Sequence, residues 1–346
     1  MKGKRFVIVL SAICLMLATK PTMQSAAETI EIKLATGLAA GHYGNYAAKA
    51  WAKELGERSK GRVKVTTYFG TMGKPPEFYD MVKNGVVDMM DFGQGWAPGR
   101  FPVLDVTGLP FEVPTPALAS AVSDALYANG LLDKELAPFK LLFFKSVGSL
   151  CLFTKKKKVT KMEDFRGLKI RPIPGKIPKQ TIEALGATSV YVRGAETYMA
   201  IDRGTLDGAV TGPDNAVSRK YYEVCKYGCT LPITGGIWFM FMNKGTWNSL
   251  PTDIKLIIEQ INKKVYSLYH ADKLRADKES WALLNNKIEI YDLDPAEAAR
   301  WREATAPIID EWVKSMEDKG MPGQEILDIT RDVIKQYSGT QYYSVK

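Results

Sequence analysis

The sequence predicts an α/β protein of two domains, linked by strands that pass from one to the other. Three observations predict it. Between residues 30 and 92, short alternating apolar runs and stretches of helical spacing follow one another in a β-α-β-α-β order. A device from that segment recurs later: Asn84-Gly85-Val86-Val87-Asp88-Met89-Met90 and Arg203-Gly204-Thr205-Leu206-Asp207-Gly208-Ala209-Val210 both read helix end, glycine, two residues, aspartate, apolar strand. Two strongly apolar runs, Leu141 to Phe153 and Ile237 to Asn243, are placed to carry the chain across to a second domain and back. A chain of 346 residues has room for two cores.

Each element has a local reason. Ile30-Glu31-Ile32-Lys33-Leu34 alternates and reads as a strand. A glycine-rich loop from Gly37 to Tyr43 leads into a helix, with Ala47, Ala50, Trp51 and Leu55 at helical spacing and Gly61 beyond its end. Val63, Val65, Thr67 and Phe69 alternate as a second strand. Pro75-Pro76 opens a helix that Asn84-Gly85 closes, and Val86 to Phe92 reads as a buried strand of a mostly parallel sheet. Ala97 to Pro116 is rich in proline and glycine and suits a rim. Beyond Thr252 the pattern is helical, with one long helix over Ile254 to Leu283 that spans both domains, and a break near Tyr291 to Pro295. The expected division is 28–145 with 243–280 for the first domain, 146–242 with 281–325 for the second, and a C-terminal helix or tail over 326–346.

The N-terminus sets the compartment. Lys2, Lys4 and Arg5 precede an apolar run from Phe6 to Ala18, and small residues follow at Ser25, Ala26 and Ala27. This is the pattern of a secretory signal peptide over 1–27, cleaved near Ala27, and it predicts an exported, periplasmic protein. Four of the nine excess positive charges (Lys2, Lys4, Arg5, Lys20) leave with it, so the mature net charge is +5. The remaining run, Lys155 to Lys158, lacks interleaved aromatics and reads as a solvated turn, with no nucleic-acid role. Three cysteines remain, Cys151, Cys225 and Cys229. An odd number gives no disulfide framework, although Cys225 and Cys229 are near enough in sequence to pair. With two histidines, His42 and His270, and no cysteine beside either, no metal or cofactor site is expected. The same scarcity, and the absence of a Gly-x-Ser-x-Gly or His-Glu-x-x-His motif, argues against an enzyme.

Glu163-Asp164-Phe165-Arg166-Gly167-Leu168-Lys169-Ile170-Arg171-Pro172 is the most informative stretch. It reads as an acidic lead-in, a turn at Gly167 and a short strand stopped by Pro172, which has no N–H for a sheet ladder. Arg171 therefore stands at a strand end, where α/β folds place ligands. Its planar guanidinium suits a carboxylate.

Taken with Ile32-Lys33-Leu34-Ala35, Gly85-Val86-Val87-Asp88, Leu109-Pro110-Phe111, Ile201 to Gly208, and Asn243-Lys244 with Trp247 and Leu250-Pro251, that stretch makes an ordered set. The chain resembles, over its whole mature length, the DctP-type solute-binding subunit of TRAP transporters. The resemblance implies a two-domain periplasmic binding-protein fold with hinge strands, closing on an organic acid. It implies partners in the small and large membrane subunits of an ion-gradient-driven permease; nothing in the sequence decides between a monomer and a homodimer. Arg171 matches the family's substrate-clamping arginine. A second arginine that many members carry on the first crossing strand is replaced by Leu150. After Asp207-Gly208 the polar position falls to Thr211, or with a gap to Asp214 or Asn215. These departures favour a monocarboxylate with an apolar body; a C4-dicarboxylate, a sugar acid, or a ligand read by a sensor kinase are the alternatives. Gln94 and Trp96 after the third strand, Tyr43 after the first, and Trp238 and Phe239 on the returning strand complete the expected binding residues, and only one of the last two can face the cleft.

Overall fold

The computed structural model describes residues 29–337; the leader and its cleavage site at Ala27 lie outside the described residues. The chain runs through β1 (Ile30–Thr36), α1 (Tyr46–Arg58), β2 (Val63–Phe69), α2 (Phe78–Lys83), β3 (Met89–Gly93), α3 (Pro116–Ala128) and β4 (Phe139–Ser146). It continues through β5 (Leu150–Thr154), β6 (Lys169–Arg171), α4 (Lys176–Ala184), β7 (Thr188–Ser189), α5 (Thr197–Asp202), β8 (Gly208–Thr211) and α6 (Pro213–Ser218). The last third holds β9 (Tyr227–Thr234), β10 (Ile237–Asn243), α7 (Lys244–Ser249), α8 (Thr252–Asn285), β11 (Glu289–Tyr291), α9 (Pro295–Glu317) and α10 (Gly323–Gln336).

Two sheets result, with strand orders β2-β1-β3-β10-β4 and β11-β9-β5-β8-β6-β7. Both are mixed, where the sequence pattern suggests mostly parallel pairing. In the first sheet β1 is parallel to β2 and β3, but β10 runs antiparallel to both β3 and β4. The reason is topological: β10 enters this sheet from the second one, so it travels opposite to β4, which leaves for it. The crossing back lies at Gly235-Gly236, ahead of the expected boundary at residue 243. The α10 helix packs on α3 of the first unit.

The repeated device is structural in both halves. Asp88 accepts a hydrogen bond from the Lys33 N–H at 2.7 Å while its own N–H donates to the Lys33 carbonyl at 3.0 Å. Asp207 does the same with Lys169, at 2.8 Å for each bond. Each aspartate thus closes the ladder at the start of a neighbouring parallel strand, which accounts for its place after the helix-ending glycine. Asp207 is spent on this role. The lysine run is structural as well: Lys155 caps α5 through the carbonyls of Ile201 and Asp202, and Lys158 pairs with Glu289 at 2.7 Å. The three cysteines are free and buried; burial pushes the Cys225 and Cys229 thiols up to about 12 and about 11.

The α8 helix ties the halves together. Its 34 residues extend about 51 Å at 1.5 Å per residue. Ile254, Ile258, Ile261, Val265 and Tyr269 recur at helical spacing and are buried against the first unit, where Trp51 donates to Asn262 at 2.8 Å. The same stripe then carries the buried Lys273, Ser280 and Leu284 toward the second. At the crossing, Gly148 between β4 and β5 has φ +101, and the Lys273 ammonium sits 2.8 Å from where a Cβ would be, so no other residue fits there. The first core centres on Phe92, whose ring meets Phe101, Phe239 and Phe241 at 5.7–5.9 Å.

One buried acid lies under this core. Glu135 accepts from the Val103 N–H at 2.6 Å, and its other oxygen is buried with no hydrogen bond. Burial pushes its carboxyl up to about 8 against the pull of the Val103 N–H, and the nearby Asp105 carboxylate adds to the rise. The unfolded chain releases this proton near its ordinary value of 4.5, so the site costs stability progressively as pH rises from there to about 8. Glu135→Gln keeps the acceptor and removes the ionisation. It is expected to raise the melting temperature by about 2–4 °C at pH 9 and to leave it within about a degree at pH 4.5. An equal loss at both pH values would refute the neutral-carboxyl account.

Candidate functional site

The cleft between the two sheets collects its polar groups from the second unit. Arg171 ends β6, where Pro172 stops the ladder, and is 6% exposed. Its Nε donates to the Val192 carbonyl at 3.2 Å, which fixes the side chain and leaves both terminal nitrogens for another acceptor. Burial lowers its pKa, and the neighbouring Arg219 adds to the fall. Among the described residues Arg171 has no carboxylate partner.

The second group comes from β8 and α6. Thr211 is buried, and its hydroxyl accepts from Asn215 Nδ2 at 2.7 Å. Asn215 Oδ1 accepts from Arg219 Nε at 2.8 Å, one turn further on. Of the three polar candidates after Asp207-Gly208, Asn215 is the hub, Thr211 supports it, and Asp214 turns away to Lys273 at 2.8 Å. Arg219 has no carboxylate partner among the described residues either.

The first unit answers with His42, in the loop after β1. Its Nδ1 accepts from the Gly44 N–H at 3.0 Å, which leaves the ring proton on Nε2, and the ring hydrogen-bonds the side chain of Asn215 across the cleft. Burial holds its pKa down to about 4, with the positive charge of Arg219 adding to the fall, so the ring is neutral at pH 7. The loop is pinned by Lys145, which donates to the Gly44 carbonyl at 2.9 Å and pairs with the buried Asp91 at 2.6 Å. Tyr43 opens the one-turn helix Tyr43–Asn45, and its side chain lies outside the described residues.

The aromatic side of the cleft follows from strand alternation. Trp238 is half-buried, stands over Gly93 where any Cβ would collide with its indole, and takes the Lys145 ammonium at 5.3 Å from its ring. Trp96 meets it edge to face at 4.5 Å. Phe239, the next residue along, has no exposed surface and belongs to the Phe92 core, so Trp238 is the strand residue with a face outside it. Gln94 is buried at the hinge, where its Oε1 accepts from the Ile237 N–H at 3.1 Å. The lobes also touch at the rim: a Cβ on Gly95 would lie 2.2 Å from the Pro174 carbonyl.

Sequence reasoning missed Arg219 and His42. Arg219 carries no motif; only its one-turn spacing from Asn215 marks it. His42 sits in a loop singled out for its neighbour Tyr43, and no local pattern separates it from a surface histidine.

Comparison with known proteins places this geometry. Residues 34–315 match the family model of bacterial extracellular solute-binding protein, family 7 (DctP). A marine metagenome TRAP solute-binding protein specific for aromatic acid ligands, solved with metahydroxyphenylacetate, is 26% identical and superposes with a TM-score of 0.79 over 89% of this chain and 99% of its own. A Rhodoferax ferrireducens TRAP solute-binding protein with copurified benzoate shares the fold at 24% identity and a TM-score of 0.80, over 90% of this chain and 99% of its own. A Comamonas testosteroni protein named outer membrane transporter protein TsaT is 26% identical over 289 residues, 82% of this chain and 85% of that one. The chain belongs to the DctP family of TRAP-type extracellular solute-binding proteins.

Proposed function

We propose that this protein captures an organic acid with an apolar, preferably aromatic, body in the periplasm and delivers it to an ion-gradient-driven membrane permease. The observation that carries the reading is Arg171: a cation at a strand end in the cleft, 6% exposed, anchored through Nε alone and without a carboxylate partner among the described residues. Desolvating a guanidinium without an anion is costly, and a ligand carboxylate on its two terminal nitrogens offsets that cost. Trp96 and Trp238 supply the apolar wall, and the ligand preference of the metagenome relative agrees with it. Asn215, held by Thr211 and His42, orients the polar end. No helix among the described residues is long and apolar enough to cross a membrane, in keeping with a carrier that meets its permease from outside.

Replacing Arg171 with Ala is expected to weaken acid binding by about 2–5 kcal/mol, read by calorimetry on the mature protein. Unchanged affinity would remove Arg171 from the clamp. Thermal unfolding with a panel of aromatic and aliphatic monocarboxylates, dicarboxylates and sugar acids tests the ligand class: an acid at about 100 times its Kd adds about 2.7 kcal/mol, and its amide none. A shift from sugar acids alone would overturn the apolar-body reading.

Closure is tested at the rim. Gly95→Ala places a methyl group against the Pro174 carbonyl and forces the lobes apart. Ligand affinity is expected to fall at least about tenfold while the melting temperature without ligand stays within about 2 °C, because the contact exists only between closed lobes. Wild-type affinity in this variant would show that binding does not require this approach.

A further inference from the structure

We infer that Arg219 is a second ligand-binding cation, and that the acid this protein selects carries a second oxygen acceptor beside its carboxylate. The inference rests on the reading of Arg171 as the carboxylate site, and goes beyond it by assigning what the ligand must carry next to that group.

Three observations point the same way. Arg219 is built into the cleft wall: Nε is fixed by Asn215 Oδ1 at 2.8 Å, and the guanidinium lies flat against Gly194, where a Cβ would sit 3.1 Å from Nη2 and 3.3 Å from Cζ. A methyl group at Gly194 would press the guanidinium aside by a few tenths of an ångström. Arg219 and His42, from the two lobes, share Asn215 as a hydrogen-bond partner, so the guanidinium lies where the lobes meet, near enough for its charge to add to burial in lowering the pKa of both Arg171 and His42. The acid beside it in α6, Asp214, is bound to Lys273, so neither arginine of the pair has a carboxylate partner among the described residues.

Two uncompensated guanidiniums in one partly dehydrated wall repel each other, and a lone carboxylate neutralises one of them. A hydroxyl, oxo or carboxylate oxygen next to the first carboxylate gives the terminal nitrogens of Arg219 an acceptor, while the body of the ligand still meets Trp96 and Trp238. The neutral Nε2–H of His42 is shared with the same amide hub and fixes Asn215 in the orientation that holds Arg219.

The experiment is a comparison of acids that differ only in the second group, by calorimetry on the mature protein. One series is phenylacetate, mandelate, phenylglyoxylate and phenylmalonate; the other is butyrate, 2-hydroxybutyrate, 2-oxobutyrate and ethylmalonate. Wild type is expected to bind at least one substituted acid about 10–100-fold more tightly than the plain acid of its series, and the best of the three names the acceptor. Arg219→Met should erase that preference, weakening the best substituted acid at least about tenfold more than the plain acid of its series, and Arg219→Lys should restore part of it. Gly194→Ala should reduce the same preference with the arginine still present. If Arg219→Met weakens all acids equally, or wild type binds plain acids as tightly as substituted ones, Arg219 is only a support and the inference is overturned while Arg171 keeps its role. If wild type binds no acid of either series, the carboxylate reading of Arg171 fails, and this one with it. Should Arg219→Met not fold, the lysine and Gly194 variants carry the same test.

Discussion

The buried ammonium of Lys273 joins the long helix, the crossing between the two units and the wall of the candidate site. It comes from the middle of α8, donates to Asp214 at 2.8 Å and Asp277 at 2.5 Å, and lies against Gly148 on the crossing strand. Burial works against its charge, but the two carboxylates outweigh that and hold its pKa above the ordinary lysine range. Removing one member of such a cluster leaves an unpaired buried charge, a loss of about 3–5 kcal/mol. The long helix, the crossing and the helix that carries Asn215 are therefore tied to one another at this nitrogen. Asp214 is adjacent to Asn215, so the position of the clamp in the second unit is set from the helix that packs on the first.

That registration explains the division of labour in the cleft. The second unit holds the charge, with Arg171 at the end of β6 and Arg219 after α6. The first holds neutral and aromatic groups, His42, Trp96 and Trp238. On the proposed reading, closing the lobes would remove water from two guanidiniums that have no carboxylate partner among the described residues, an unfavourable step until an acid supplies one. The hydrogen bond from His42 to Asn215 adds a contact between the lobes without adding charge, because burial keeps the imidazole neutral.

The polar content of the site differs from what the linear pattern suggests. The missing arginine at Leu150 and the broken polar motif after Asp207-Gly208 point to a loss of one cation and one amide. One short helix and the residue after it bring an amide and a cation, Asn215 and Arg219, to the same wall. The apolar character survives in Trp96 and Trp238, so the cleft combines an aromatic side with a strongly polar end.

The sequence by itself determined a good deal. The alternation in β1 and β2, the helix-ending glycines, the twin aspartates after them and the unbroken stripe of α8 are local patterns, and each becomes the predicted element. Arg171 was legible for the same reason: a strand stopped by proline leaves its last side chain at a sheet rim, whatever lies around it. Only the tertiary structure decided the rest. Sheet polarity depended on where β10 re-enters, and strand alternation could not choose between Trp238 and Phe239 until the Phe92 core took one of them. Arg219 and His42 come together on Asn215 because α8 and the hinge bring α6 against the loop after β1. Those contacts join positions far apart in the chain, and no spacing along it records them.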